Sequence, residues 1–139
     1  MDNIDVVRKL EEAYNKADYD AVDGLLAADF TPHTPGSETM PPGIEGAKLA
    51  DQGTHQAFPD RKQEILDIIG EGDRVVAHIR MTGTNTGGLP WFGIPANGAK
   101  VDTDWIQISR HGPDGKIVET WAQMDIPKLM MQLGAMPGM

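Results

Sequence analysis

The chain has 139 residues, of which 40% are hydrophobic and 24% are charged, and its formal net charge is −9. This length predicts one domain, spanning residues 1–139, that is large enough to bury a core. The absence of cysteine excludes disulfides and thiol chemistry. The acidic balance and the scattered basic residues argue against nucleic acids and anionic membranes as partners.

The sequence offers no pattern typical of export or of cofactor binding. The apolar runs are only a few residues long, and the opening Met-Asp-Asn-Ile-Asp is acidic where a secretory signal is basic and then apolar. We therefore expect a cytoplasmic protein without a transmembrane helix. No glycine-rich nucleotide loop occurs, and the histidines are too far apart for a local metal motif. We expect neither a metal nor an organic cofactor.

The first 57 residues predict three helices. Apolar and aromatic residues recur at helical spacing over 4–17, and Tyr14 lies on this stripe, either as core packing or in a pocket. A second helix is predicted from position 18 or 20 through 28, and a third from 44 to about 57.

A short extended piece over 29–33 separates the second helix from an irregular, proline-rich loop. His33 lies between Pro32 and Pro35, which restrict the backbone on both sides of it. Loops that a scaffold positions often carry function, so His33 is a candidate site residue. The alternative is a loop histidine that is merely exposed.

The second half of the chain predicts antiparallel strands over 62–69, 74–84, 100–110 and 117–125. Within 74–84, apolar residues alternate with His78, which places that histidine on an outer surface away from the core. For 100–110 the inward face stays open: either the face that carries Gln107 points into the protein, or the face that carries Asp104 does.

The last predicted strand has an unusual face. Its alternation puts Trp121, Gln123 and Asp125 on one side, together with Ile117 and Glu119. An indole, an amide and carboxylates in one row suit the wall of a pocket, although a solvent-facing edge strand would carry similar residues. A short helix is predicted over 126–133, followed by a tail over 134–139.

Residues 83–99 form a glycine- and proline-rich excursion that is too apolar to lie in water. Its large side chains are Leu89, Trp91, Phe92 and Ile94. We predict that the segment folds back as a flap in which Trp91 and Phe92 cover a ligand. Helices followed by antiparallel strands predict an α+β fold, in which a curved sheet wraps against the helices and leaves a cavity.

A set of short motifs adds a family resemblance. The motifs are Phe58-Pro59-Asp60, Glu71-Gly72-Asp73-Arg74-Val75-Val76, Gly83-Thr84, Gly93-Ile94-Pro95 with Gly98, and Asp114-Gly115-Lys116-Ile117-Val118-Glu119 with Trp121 and Asp125. In this order they resemble the SnoaL-like polyketide cyclases, or ester cyclases, of the nuclear-transport-factor-2-like (NTF2-like) superfamily. The resemblance runs from the first helix to Gln132-Leu133-Gly134.

The resemblance implies a cone-shaped α+β barrel of three N-terminal helices and a curved antiparallel sheet, with a deep hydrophobic pocket and a homodimeric or homotetrameric assembly. It implies an aldol closure of a polyketide ester, with the strand-end acid at Asp125, the loop histidine at His33 and a substrate-contacting aromatic at Tyr14. Many relatives have histidine in a Gly-Thr-His-x-Gly turn, where this chain has Asn85.

Aldol closure requires a base beside a carbonyl and a donor for the enolate oxygen. We expect Asp125 to carry the proton after burial raises its pKa, and His33 to assist as its partner or as an oxyanion donor. Gln107 and Gln123 are candidate amide donors, and Trp121 a candidate pocket wall. The substrate would be a small hydrophobic carbonyl compound. The alternatives are an isomerase or epoxide hydrolase on the same fold, and a non-catalytic binder of hydrophobic ligands.

Overall fold

The structure is a computed structural model and describes residues 1–135. These residues form α1 (Asn3–Lys16), α2 (Tyr19–Val22), β1 (Leu26–His33), α3 (Gly43–Ala57), β2 (Lys62–Glu71), β3 (Arg74–Thr84), β4 (Lys100–His111), β5 (Ile117–Met124) and α4 (Ile126–Gln132). Two short 3-10 turns, Ser37–Thr39 and Pro90–Phe92, lie in the loops. No helix in this part of the chain is long and apolar enough to cross a membrane.

The five strands form one sheet in the order β1-β5-β4-β3-β2. β1 runs parallel to β5, and the other neighbours are antiparallel. The helices cover one face of this curved sheet, which we call the inner face, and leave the opposite, outer face free within the described residues. The predicted α+β class is confirmed.

The predicted second helix is too long. α2 ends at Val22, and residues from Leu26 onward belong to β1. A turn around Gly24 separates the two, and Leu26 then pairs with Ile117 of β5. This long-range pairing gives the segment a strand partner that helical periodicity does not reveal, so the prediction of helix through position 28 is wrong.

α1 is fixed on the inner face at both ends. Asp2 and Asp5 form a capping box at its start, in which the Asp5 amide donates to Asp2 Oδ1 at 2.8 Å. Near its end, the Asn15 side chain donates to the Gln63 carbonyl at 2.8 Å and accepts from the Gln63 amide at 2.9 Å. α1 therefore lies along β2, with Val7 and Leu10 buried beneath it.

The far end of the sheet is closed by α4 and the loop between β3 and β4. Phe58, Leu89, Ile94 and Leu133 belong to a buried cluster there. β4 extends beyond the end of β5, and α4 replaces the missing strand. The Gln132 side chain accepts from the Asp102 amide at 2.8 Å and donates to the Asp102 carbonyl at 2.9 Å.

Candidate active site

The strand register decides which side of β4 faces the helices. Ile79 and Ala77 of β3 are buried on the inner face, and they pair with Trp105 and Gln107. Directly paired residues share a face, so Trp105 and Gln107 point inward, as does the buried Ser109. Trp105 and Gln107 are only half-buried although they lie on the covered side. Both residues therefore keep part of their surface accessible.

The predicted pocket wall on the last strand lies on the other side of the sheet. Trp121 pairs with Ile108, and Gln123 pairs with Ile106, all on the outer face. The inner face of β5 instead carries Ala122, which pairs with Gln107. Alternation correctly separates Trp121 and Gln123 from Ala122, but their predicted inward direction is wrong, because their partners on β4 lie on the outer face. The predicted place of Ile117 on the Trp121 face is wrong as well: the register shifts between Arg110 and His111, and Ile117 is buried in the core.

His33 belongs to the same outer surface. Its ring stacks on Trp121 with centroids 5.4 Å apart and planes 18° apart. Its Nε2 lies 2.7 Å from Glu119 Oε2, and Arg110 also contacts Glu119. The hydrogen bond from His33, with that from Arg110, lowers the pKa of Glu119. His33 thus pairs with Glu119 and not with Asp125, which was one of its two predicted partners. Its other predicted role, as a donor to an oxyanion, stays a prediction.

Asp125 serves as a helix cap. Its Oδ1 accepts a hydrogen bond from the Lys128 amide at 3.0 Å at the start of α4. The residue is exposed. The predicted burial of Asp125 among apolar walls is therefore wrong.

Tyr14 is partly buried, as both predicted alternatives, core packing and a pocket, require. Burial raises the pKa of its phenol, and the nearby charges of Asp51 and Glu11 raise it further. The hydroxyl therefore stays protonated at neutral pH and can act as a hydrogen-bond donor. Tyr14 packs against the buried core together with Trp105.

A buried ion pair beside Tyr14 escaped sequence analysis. Arg61 donates to Asp51 Oδ1 at 2.6 Å and to Oδ2 at 3.3 Å, and the Tyr19 hydroxyl donates to Oδ2 at 2.9 Å. The Arg61 guanidinium also donates to the Tyr14 carbonyl at 2.8 Å, and His55 Nε2 lies 2.7 Å from that oxygen. The cluster joins α1, α2, α3 and the start of β2.

Glu11 is a third charged residue that the fold buries, after Asp51 and Arg61. Only 6% of its surface is exposed, and burial raises the pKa of its carboxyl to about 7, against a smaller lowering by Arg61. A sequence signal existed: Glu11 lies four residues after Val7 and three before Tyr14, on the apolar stripe of α1. A carboxylate at such a position marks a buried titratable group.

The flap is only partly folded over the interior. Leu89 and Ile94 are buried, whereas Trp91 and Phe92 remain 50% and 45% exposed. A Cβ added at Gly53 of α3 would lie 3.6 Å from the Trp91 ring, so the indole rests on that helix. The flap is present; a ligand beneath Trp91 and Phe92 stays a prediction.

Asn85 holds the flap together. It is fully buried, donates to the Pro95 carbonyl at 3.1 Å and to Asn97 Oδ1 at 3.0 Å, and accepts from the Gly88 amide at 2.9 Å. Its side chain is therefore occupied by the loop itself. Among residues 1–135, no group of three or more His, Cys, Asp or Glu side chains is placed to hold a metal ion.

The chain was compared with known proteins. A comparison with curated proteins finds no match. The chain resembles the solved structure of TsrD from Streptomyces laurentii, with 28% identity, a TM-score of 0.85 and coverage of 95% of this chain and 94% of that one. It also resembles IdmH from Streptomyces antibioticus, described as a proposed polyketide cyclase, with 31% identity, a TM-score of 0.82 and coverage of 96% and 99%.

A further solved structure, a proposed polyketide cyclase from Bacillus cereus, shares 27% identity at a TM-score of 0.79, over 94% of this chain and 79% of that one. The family model of the SnoaL-like polyketide cyclases matches residues 4–133. This match spans nearly the whole described fold. The chain belongs to the SnoaL-like polyketide cyclase family.

Proposed function

We propose that the protein is an acid/base enzyme that enolises, and thereby cyclises, a hydrophobic carbonyl compound bound on the inner side of the sheet. One observation carries this proposal. Two uncharged hydrogen-bond donors, the Tyr14 phenol and the Gln107 amide, lie half-buried on the inner side, where Ala77, Ile79 and Trp105 supply apolar surface. Few polar groups within apolar walls are typical of small-molecule sites.

Tyr14 and Gln107 would bind the carbonyl oxygen. A raised pKa keeps the Tyr14 proton in place, so the phenol can donate to the negative charge that develops when the carbonyl becomes an enolate. Trp105 precedes Gln107 by two residues on β4, and Met124 of β5 pairs with Trp105. These two side chains would contact the apolar body of the substrate.

Asp51 is the proton acceptor that we propose in place of Asp125. It lies near enough to Tyr14 for its charge to raise the pKa of the phenol, and it is 8% exposed, whereas Asp125 caps α4 at the surface. A C–H flanked by two carbonyls is acidic enough for a modest base. Asp51 would take this proton. The enolate carbon would then form a C–C bond to a third carbonyl elsewhere in the same molecule, and the π bond of that carbonyl would open to an alkoxide. The new alkoxide would recover the proton from Asp51, so no cofactor enters.

The experiment measures hydrogen exchange at carbon. The probe is 2-tetralone in D2O, followed by 1H NMR as loss of its α-hydrogen signals relative to buffer. We expect the wild type to accelerate exchange, Tyr14→Phe to lose about 100-fold of the acceleration, and Asp51→Asn to lose nearly all of it. Asp125→Asn is the matched control and should keep most of the rate.

Thermal unfolding of each variant separates lost chemistry from lost fold, because breaking a buried ion pair is destabilising. Full exchange activity in folded Tyr14→Phe and Asp51→Asn would refute the roles assigned to them. If Asp125→Asn alone lost activity, Asp125 and not Asp51 would be the proton carrier.

A non-catalytic ligand-binding protein is the second candidate. Asp51 is already bound by Arg61 and Tyr19, an arrangement that also suits a purely structural ion pair. The two functions differ in one measurement. Binding of 2-naphthol, detected by quenching of tryptophan fluorescence, without any acceleration of exchange by the wild type would favour the binder.

A further inference from the structure

Three polar atoms beneath the C-terminal half of α1 are buried without a hydrogen-bond partner in the described part of the chain. They are Glu11 Oε2, Arg61 Nε and Gln63 Oε1. Buried polar atoms are nearly always paired with protein or with ordered water, so three unpaired atoms in one region call for an explanation.

Several contacts place the three side chains in the same part of the molecule. Gln63 pairs with the buried Met81 and so lies on the inner face, and Arg61 is two residues earlier, immediately before β2. Asn15 binds both main-chain groups of Gln63, and Glu11 lies one helical turn before Asn15. Arg61 is also the charged group that acts most strongly on the Glu11 carboxyl.

The hydrogen-bonding capacity of these atoms identifies the missing partner. Arg61 Nε carries one N–H donor, whereas the carboxylate and amide oxygens are acceptors. The partner must therefore accept one hydrogen bond and donate two. We propose that Glu11, Arg61 and Gln63 bind one buried water molecule, which accepts from Arg61 and donates to the two oxygens.

Water fits better than a small cation. An ammonium ion could donate to both oxygens, but it has no lone pair for Arg61 Nε–H and would lie beside the guanidinium charge. Buried waters typically make about three hydrogen bonds to otherwise unpaired groups, which is the number available here.

A cleft at the α1–β2 seam connects this site to solvent. It has a volume of about 390 Å³ and is lined by Arg8, Glu11, Glu12, Asn15, Lys16 and Ile65. Glu11 thus borders both the cleft and the unpaired atoms. The bound water can exchange through the cleft, and the Glu11 carboxyl can exchange its proton with solvent by the same route.

The test counts long-lived internal waters by 17O magnetic relaxation dispersion on the full chain. Gln63→Met keeps the length of the side chain and removes its amide. We expect the dispersion amplitude to fall by the equivalent of one water molecule. Gln56→Met makes the same change at an exposed position on α3, away from the cleft. It is the matched control and should leave the amplitude unchanged.

A high-resolution crystal structure of the wild type decides the question even if the variant does not fold. Density for a water within hydrogen-bond distance of Glu11, Arg61 and Gln63 would support the site. An unchanged dispersion amplitude in folded Gln63→Met would overturn it. Density in which the Gln63 amide nitrogen donates directly to Glu11 would overturn it as well.

Discussion

Glu11 makes the stability of the protein depend on pH. Its folded pKa is raised from 4.5 to about 7, so the folded state holds a proton that the unfolded state releases between these values. The free energy of unfolding therefore falls as pH rises from about 4.5 to about 7, and is level above that range. The loss is on the order of 3 kcal/mol, since one pKa unit corresponds to about 1.4 kcal/mol.

Glu11→Gln should remove this dependence. At pH 4 the variant and the wild type should unfold at similar urea concentrations, whereas at pH 8.5 the variant should be more stable by up to ~3 kcal/mol. Urea titrations at both pH values measure the difference, and the exposed Glu12→Gln serves as control. A difference between Glu11→Gln and wild type that is the same at pH 4 and pH 8.5 would contradict the assignment.

The loop between β3 and β4 is an element whose shape depends on one buried amide. Main-chain bonds to Asn85 add to those of its side chain: the amides of Asn97 and Gly98 both donate to its carbonyl, at 3.2 and 2.8 Å. Asn85→Asp keeps the size but removes the two N–H donors, so the Pro95 carbonyl and Asn97 lose their partner and a charge is buried.

We expect Asn85→Asp to destabilise the fold by about 2–4 kcal/mol. Asn97→Asp makes the same change at the other end of the contact and removes the N–H that donates to the Leu133 carbonyl at 2.9 Å. It should cost less, because Asn97 is exposed to solvent whereas Asn85 is fully buried. Urea unfolding compares the two variants. If Asn85→Asp were as stable as the wild type, the loop would not depend on this amide. Asn85 would then have to be considered for a role in the reaction.

The last strand shows what alternation can and cannot predict. Its period separates Trp121 and Gln123 from Ala122 correctly, but alternation alone does not say which set faces the helices. A mixed face looks suited to a pocket. In the folded chain, Trp121 is instead covered by the His33 ring and by the Arg74 guanidinium, 5.1 Å from the indole centroid.

At the scale of the molecule, local patterns predicted the α+β class, α1, α3 and the antiparallel strands, because these depend on periodicity and turns. They missed the parallel pairing of β1 with β5, which joins residues about 90 positions apart. They also missed the polar interior around Asp51. Its partners Arg61 and Tyr19 come from different elements, and each looks ordinary in its own segment.

The outer face of the sheet carries exposed apolar residues through which two copies of the chain could pack. Ile69, Val76, Ile108 and Trp121 pair in sequence across β2 to β5 and form an apolar stripe. Ile69 and Ile108 are 63% and 37% exposed, and the neighbouring Ile106 is 52% exposed.

The charges beside this stripe are paired within the chain, which lowers the cost of covering them. The pairs are His33–Glu119, Arg110–Glu119, His78–Asp104 and Arg80–Asp102. Five strands that lie ~4.8 Å apart and are about seven residues long would bury a total of roughly 1,000 Å² when two copies pack face to face. This total is near the minimum for a specific interface. An apolar stripe on a single face can pack against itself around a two-fold axis.

We therefore propose a homodimer that packs through the outer face. Sedimentation equilibrium should give twice the chain mass of 15.1 kDa for the wild type. Ile108→Lys should give the monomer mass, because it buries an unpaired charge at the centre of the stripe. Leu49→Lys, at a 44% exposed position on α3 and away from the sheet, is the matched control and should remain dimeric. A wild-type monomer would refute the proposal. A dimer that Leu49→Lys disrupts and Ile108→Lys does not would place the contact elsewhere.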